Sequence, residues 1–208
     1  RKGENGRMSH LLIDRFRFDS FAPASDDRAG STLLTRFGKE VYLFFMITPP
    51  EETVVRAWTR GEEVGRYKAV DDLLYHNVEA LTGMPRLFFT WALKTDKSVH
   101  YEFLDNDVPP GEKPKTVAFG VNRAMTILDV KKMLDVQRYR KISLNGNSAK
   151  EIYPDPEKLL AEQNTGFLLE CAKFIPFITF ADQTTGRIYG KMEKGAIQWT
   201  DGDILASV

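Results

Sequence analysis

The sequence predicts an α/β protein with a mostly parallel sheet and flanking helices, followed by an α+β region that ends in a small antiparallel meander. Three observations predict this fold class. Residues 41–47 are seven consecutive apolar residues, which is typical of a strand buried on both faces of a parallel sheet. Patterns of strand and helix alternate between residues 40 and 104. Residues 177–203 contain three short strand patterns separated by glycine-containing turns.

The composition restricts the classes of partner. The chain has 208 residues, with 29 basic and 29 acidic side chains that cancel, which argues against general nucleic-acid binding and polybasic membrane binding. Its single cysteine excludes an intramolecular disulfide, and its polar first residues are no signal peptide. The seven-residue apolar run is far shorter than a membrane span. These features predict a cytoplasmic protein without a membrane partner.

The first elements follow from apolar runs and helix-start signals. Leu11-Leu12-Ile13, followed by Asp14, predicts a buried strand within residues 8–21, and residues 40–48 predict a central strand. Thr48-Pro49-Pro50-Glu51 then predicts a helix start, with Thr48 as N-cap, Pro49 in the first turn and Glu51 completing a capping box. Gly61 is expected to end this helix.

The next segment predicts two further helices and a strand. Apolar residues with helical spacing predict a helix that starts at Val70 and ends at Gly83, and residues 85–93 predict a short third helix. Residues 98–104 alternate, which places Val99, Tyr101 and Phe103 on one side of a strand.

The second half has a different character. Residues 106–116 are rich in proline and charge, which predicts a boundary between an α/β domain at residues 1–108 and an accessory region at residues 109–208. Helices are expected near residues 122–136 and 156–173, followed by the meander.

Three arginines are the main candidates for a binding site. Arg56 and Arg60 are four residues apart and share a helix face, and Arg66 follows in a glycine-containing loop. Guanidinium groups in such positions stabilise the charge of a transferring phosphoryl group. The alternative is that they are solvated charges that pair with Glu62, Glu63 or Asp71.

Residues 11–80 resemble the later part of zeta-toxin-type P-loop kinases. The resemblance rests on Ile13-Asp14-Arg15, on the strand-to-helix junction Ile47-Thr48-Pro49-Pro50-Glu51, on the helix arginines, and on Gly65-Arg66-Tyr67 before a long amphipathic helix. It implies a P-loop-kinase-like sheet and a kinase that phosphorylates a nucleotide or nucleotide sugar with ATP and Mg²⁺. It also implies that Arg60 and Arg66 clamp phosphates, with Arg56 as the alternative residue for this role.

The chain lacks the phosphate loop that this family requires. Gly-x-x-x-x-Gly-Lys-Ser/Thr occurs nowhere in residues 1–208; Gly186 and Gly190-Lys191 are one residue too close and are followed by Met192. We therefore expect a missing N-terminal segment or a partner chain to hold ATP and Mg²⁺ and to complete the sheet. Asp14, at the end of a predicted strand, could reach Mg²⁺ through water, or it is an ordinary turn residue.

Other chemistry-bearing residues give weaker signals. The three histidines are His10, His76 and His100, which match no metal-ligand spacing, so no metal site is predicted. Cys171 fits the apolar face of a helix and reads as a buried structural residue. Aromatic residues interleaved with basic ones in residues 173–199 could stack nucleic-acid bases, although packing of a meander on a helix gives the same pattern.

The sequence thus predicts part of a kinase of the zeta-toxin type, a transferase from toxin–antitoxin systems, which on its own is expected to be inactive. Its expected partners are the segment or chain that completes the sheet, a small nucleotide substrate and an antitoxin-like inhibitor. The alternative is a catalytically inactive kinase-like module that binds a protein partner or a nucleotide. A third hypothesis is a nucleic-acid-processing accessory protein that uses the aromatic and basic residues of the meander.

Overall fold

A computed structural model describes residue 12 and residues 40–93, 97–148, 150–153 and 164–207. The described residues form seven strands and five helices. The strands are β1 (Glu40–Ile47), β2 (Ser98–Asp105), β3 (Lys115–Val121), β4 (Ala124–Ile127), β5 (Phe177–Ala181), β6 (Ile188–Glu193) and β7 (Ala196–Trp199). The helices are α1 (Pro50–Val64), α2 (Val70–Ala92), α3 (Val130–Tyr139), α4 (Gly166–Phe174) and α5 (Gly202–Ser207).

The seven strands form one mixed sheet in sequence order, so the protein is α/β as predicted. The pairs β1–β2 and β4–β5 are parallel, and each is connected through two helices. The other four neighbouring pairs are antiparallel, so the described sheet is mostly antiparallel rather than mostly parallel. The sheet continues across the predicted boundary between residues 1–108 and 109–208.

Strand β1 is confirmed, and it pairs in parallel with β2 from Glu40 opposite Ser98 to Ile47 opposite Asp105. Its predicted central position and burial on both faces are wrong for the described residues, because β1 is the edge of the seven-stranded sheet. Its side chains alternate between the two faces of the sheet. Val41, Phe45 and Ile47 are buried, whereas Tyr42, Phe44 and Met46 are about half exposed.

Helix α1 is confirmed, but its ends differ from the prediction. Pro49 is the N-cap, and no side chain caps the helix. The hydroxyl of Thr48, the predicted cap, accepts a hydrogen bond from the Asn106 side chain instead. The helix also continues past Gly61 to Val64. Gly65 ends it in the left-handed conformation (φ 69°), which glycine adopts without strain.

Helix α2 is one continuous helix of 23 residues, where the sequence predicts two. It passes through Gly83 and Pro85, although proline removes one backbone hydrogen bond and usually kinks a helix. The buried residues of this region, Met84, Phe88 and Trp91, pack against the sheet and hold the helix together. Tertiary packing therefore overrides the local stop signals.

The core lies between the sheet and the helices. Strand β2 has the predicted alternation, with Val99, Tyr101 and Phe103 buried on the helix side. The ring of Phe88 on α2 packs against Phe103 with ring centroids 5.1 Å apart, and Phe167 on α4 lies 5.6 Å from Phe103. Aromatic packing of this kind joins the first and second halves of the chain around one core.

The second half confirms the meander and corrects the helix bounds. Strands β5, β6 and β7 pair antiparallel in order. The helix expected near residues 122–136 begins only at Val130, after strand β4, and Asp129 caps it by accepting a 2.9 Å hydrogen bond from the Lys132 amide. The helix predicted for residues 156–173 is described as Gly166–Phe174.

Some predictions fall on residues that the structure does not describe. The strand within residues 8–21 lies outside the described residues, apart from Leu12. The role given to Asp14 therefore stays a prediction from sequence.

Candidate functional site

The carboxyl ends of the parallel strands β1 and β2 carry a connected polar cluster. The Asn106 amide donates to the Ile47 carbonyl at 2.8 Å, and the Asn106 side chain donates to the Thr48 hydroxyl at 3.2 Å. This is the edge of an open α/β sheet at which ligands generally bind. The two bonds fix the loops that follow the strands relative to each other.

Arg56 ties helix α1 to the loop after β2. One of its terminal nitrogens donates to the carbonyls of Asn106 and Val108 at 2.8 and 3.0 Å, and its Nε lies 3.7 Å from Glu52. The guanidinium group of Arg56 is thus engaged by the protein. A phosphate could bind there only by sharing or replacing these contacts.

Lys132 joins two carboxylates at the same edge. Its ammonium group lies 3.2 Å from both Asp105 and Asp107. Burial lowers the pKa of Lys132, but hydrogen bonds and charge attraction from Asp105 and Asp107 outweigh it, so the pKa is raised overall. The cluster therefore connects the loop after β2 to helix α3.

The loop between α1 and α2, residues 65–69, is here named the lid loop. The Tyr67 ring packs beside Trp58, with ring centroids 5.1 Å apart, and lies directly over Gly61. A side chain at position 61 would collide with this ring, which explains why glycine stands inside a helix. Tyr67 thus holds the lid loop, including Arg66, against the last turns of α1.

Arg60 and Arg66 are both exposed, on α1 and on the lid loop respectively. Within the described residues, neither makes a hydrogen bond or ion pair, so the alternative pairing with Glu62, Glu63 or Asp71 is not observed there. Glu62 instead accepts a 3.1 Å hydrogen bond from the Trp58 ring. That Arg60 and Arg66 clamp phosphates stays a prediction.

His76, His100 and the cysteine are engaged by other parts of the protein. His100 stacks on Tyr42 with ring centroids 4.7 Å apart, and His76 lies within hydrogen-bond reach of Lys68. Cys171 is fully buried in the core, and burial raises the pKa of its thiol, so it stays protonated and unreactive. The part of the chain that the structure describes contains no group of three His, Cys, Asp or Glu side chains able to hold a metal ion.

The aromatic residues of the meander pack on each other. Tyr189 is almost fully buried, and Trp199 stacks on it with ring planes 8° apart and centroids 6.2 Å apart. Phe180 lies 5.4 Å from the same Trp199 ring. This arrangement supports the packing interpretation for Tyr189, whose face is not open to a ligand, whereas Trp199 and Phe177 are about half exposed.

A cavity that the sequence analysis missed lies between the first halves of α1 and α2 and the loop at residues 144–152. The loop carries the turn-forming sequence Asn145-Gly146-Asn147-Ser148, which is a visible local signal. Nothing in the sequence indicates that this loop packs against helices some 70 to 100 positions earlier in the chain.

Comparison with known proteins finds no matching family model, no matching curated protein and no matching solved structure. The resemblance to zeta-toxin-type kinases therefore rests on the motifs quoted above. Of the helices that the structure describes, none is both long and apolar enough to cross a bilayer.

Proposed function

We propose that this chain is part of an ATP-dependent kinase that resembles zeta toxins and phosphorylates a nucleotide or nucleotide sugar. The observation that carries the proposal is the pair of exposed arginines, Arg60 and Arg66, on a helix and a loop that Tyr67 holds together. Neither is engaged by another described residue, so both guanidinium groups are available to phosphate oxygens. Their role would be to bind the substrate phosphates and stabilise charge during transfer.

Under this proposal ATP and Mg²⁺ are held outside the described residues. These residues offer no group of metal-binding side chains, and residues 1–208 contain no phosphate-loop motif. We therefore assign ATP and Mg²⁺ binding to an N-terminal segment or a partner chain, with Asp14 as an indirect Mg²⁺ contact. The described residues would bind and orient the phosphate acceptor.

The face of the sheet away from the helices supports the proposal that a further segment or chain completes the fold. By strand register, the exposed side chains on this face form rows across the sheet, one of which contains Tyr42, Val121 and Phe177. Phe44 and Phe119 lie in the next row and are also about half exposed. His100, Glu102 and Glu193 share these rows, but large exposed apolar side chains in such numbers usually mark a surface that another element covers. In the proposal, the segment or partner chain that completes a P-loop-like sheet covers it.

The exposed apolar side chains of this face favour one alternative function. A catalytically inactive kinase-like module, retained to bind a protein partner, would also need a large exposed apolar surface and no phosphate loop. The two proposals differ in whether the completed assembly transfers phosphate.

A phosphate-transfer assay separates them. Labelled ATP and a UDP-sugar acceptor are supplied to residues 1–208 alone and to the chain joined to the segment encoded upstream of Arg1. We expect transfer only by the longer protein, and a loss of about 10³-fold or more with Arg66→Ala. Arg123→Ala, which removes an exposed arginine in the β3–β4 turn, is the matched control and should retain the parent rate.

Transfer by residues 1–208 alone would contradict the assignment of ATP and Mg²⁺ binding to another segment or chain. An Arg66→Ala enzyme as fast as its parent, or an equal loss in the Arg123→Ala control, would contradict the role given to the lid arginines. A longer protein that is folded but silent would favour the inactive binding module.

A further inference from the structure

The cavity between α1, α2 and the loop at residues 144–152 has a volume of ≈ 670 Å³, which is within the range of small-molecule sites. Its floor is apolar, since Leu74 and Ile152 are almost fully buried beneath it. Val54 and Leu144 extend the apolar surface up the walls. The cavity can therefore take the hydrocarbon body of a small ligand.

The loop at residues 144–152 is held in a fixed shape by its own backbone. The Ser143 amide donates to the Ile152 carbonyl at 2.6 Å, and the Ile152 amide donates back to the Ser148 carbonyl at 3.1 Å. Gly146 lies so close to Ile152 that any side chain there would displace the loop. The cavity wall on this side is thus preformed, which lowers the entropic cost of binding.

The same loop presents polar groups to the cavity. The Asn145 and Asn147 side-chain amides and the Ser148 hydroxyl line it. Within the described part of the chain, these three side-chain groups form no hydrogen bond as donors. They are available to the polar atoms of a ligand.

The charged side chains that line the cavity are acidic. Two carboxylates, Glu51 and Asp71, line it, and no Lys, Arg or His is among its described lining residues. The Tyr153 hydroxyl donates to Glu51 Oε2 at 2.9 Å, which fixes the orientation of this carboxylate. Such a lining attracts a cation and repels a carboxylate or phosphate.

We propose that this cavity binds a small primary amine with an aliphatic or aromatic ring body. The ammonium group would contact Glu51, Asp71 would add to the attraction of a cation, and the ring would lie on Leu74 and Ile152. Neither Arg60 nor Arg66 lines the cavity, so this site is separate from the proposed phosphate clamp and does not depend on kinase activity.

The test uses three probes of equal size and different charge: benzylamine, benzyl alcohol and benzoate. Each is titrated into residues 1–208 while the methyl NMR signals of Val54, Val70 and Leu144 are followed. We expect saturable shifts of these signals with benzylamine, and at least about tenfold weaker binding of benzoate, because charge-assisted hydrogen bonds contribute this much.

Neighbouring acidic residues provide matched controls. Glu51→Gln keeps an acceptor for Tyr153 but removes the charge, and should weaken benzylamine about tenfold. Glu52→Gln, next to it on α1 and beside Arg56, should leave binding unchanged. The exposed residues Asp71 and Asp72 allow the same comparison on α2: Asp71→Asn changes a lining residue, and Asp72→Asn is its control. This second comparison provides the test if Glu51→Gln does not fold.

The proposal is overturned if benzylamine gives no saturable shift, or if it shifts methyl groups away from the cavity. Equal affinity for benzoate would also overturn it, as would equal losses in the cavity-lining variants and their neighbours. None of these outcomes bears on phosphate transfer, so the two proposals fail separately.

Discussion

The ring of Tyr67 lies over the α-carbon of Gly61, and this contact joins the lid loop to helix α1. Alanine inside a helix is normally about 1 kcal/mol more favourable than glycine. We predict that Gly61→Ala gives little or none of this gain, because the new methyl group meets the Tyr67 ring. In a Tyr67→Ala background, the same substitution should give the full gain in thermal stability. Equal effects in both backgrounds would show that the contact does not restrict position 61.

Arg56 should matter for stability rather than only for ligand binding. Arg56→Ala removes two hydrogen bonds to the carbonyls of Asn106 and Val108, so we expect a loss of about 1–3 kcal/mol in the free energy of unfolding. Arg60→Ala on the same helix should change it by less than about 0.5 kcal/mol. Urea denaturation of the two variants makes the comparison. Similar losses of unfolding free energy in both variants would contradict the conclusion that Arg56 holds α1 to the loop after β2.

Adjacent phenylalanines on β1 test which face of the sheet is packed. Phe45 is 3% exposed and packs against Phe88 and Phe103, whereas Phe44 is 57% exposed on the other face. Phe45→Ala should cost about 3–5 kcal/mol. Phe44→Ala should cost under about 1 kcal/mol and reduce the binding of an apolar dye. Equal costs would show that the second face is covered in the folded chain.

The ion pairs of Lys132 should make the stability of the fold depend on pH in the alkaline range. Its pKa in the folded protein is raised by Asp105 and Asp107, against the opposing effect of burial, so its ion pairs stabilise the fold while it is charged. This stability is fully present below the unfolded pKa of about 10.4 and is lost as the pH rises through the higher folded pKa.

The comparison is between the parent and Lys132→Gln in urea denaturation from pH 7 to pH 12. The difference in unfolding free energy should be constant up to about pH 10 and should shrink above it. Using the difference removes the contribution of tyrosines, which titrate in both proteins. A difference that stays constant to pH 12 would contradict the role given to Lys132.

Local sequence signals were sufficient for strands and turns whose patterns are short. Strand β2, the facing of Tyr101 and Phe103, and the antiparallel meander all follow from alternation and turn residues. The bounds of α1 and α2 were less predictable. Glycine and proline are local stop signals, yet α1 continues through Gly61, and α2 continues through Pro85, which is buried.

Features that depend on distant parts of the chain could not be predicted. The apolar run of β1 indicates burial on both faces, but only one face of β1 is buried in the described structure. The sequence does not show which of the three arginines the protein itself engages, and only the structure shows that Arg56 is engaged by the loop after β2 while Arg60 and Arg66 are not. The cavity brings residues near 51 and 71 beside a loop at 144–152.

Binding of a UDP-sugar to residues 1–208 tests the central claim most directly, because it needs neither ATP nor Mg²⁺. Isothermal titration calorimetry would compare the parent, Arg60→Ala, Arg66→Ala and the control Arg123→Ala. We predict that each lid arginine variant binds about tenfold or more weakly, since charge-assisted hydrogen bonds to phosphate are lost, and that the control binds like the parent. Unchanged affinity in both lid variants, or an equal loss in Arg123→Ala, would contradict the arginine clamp.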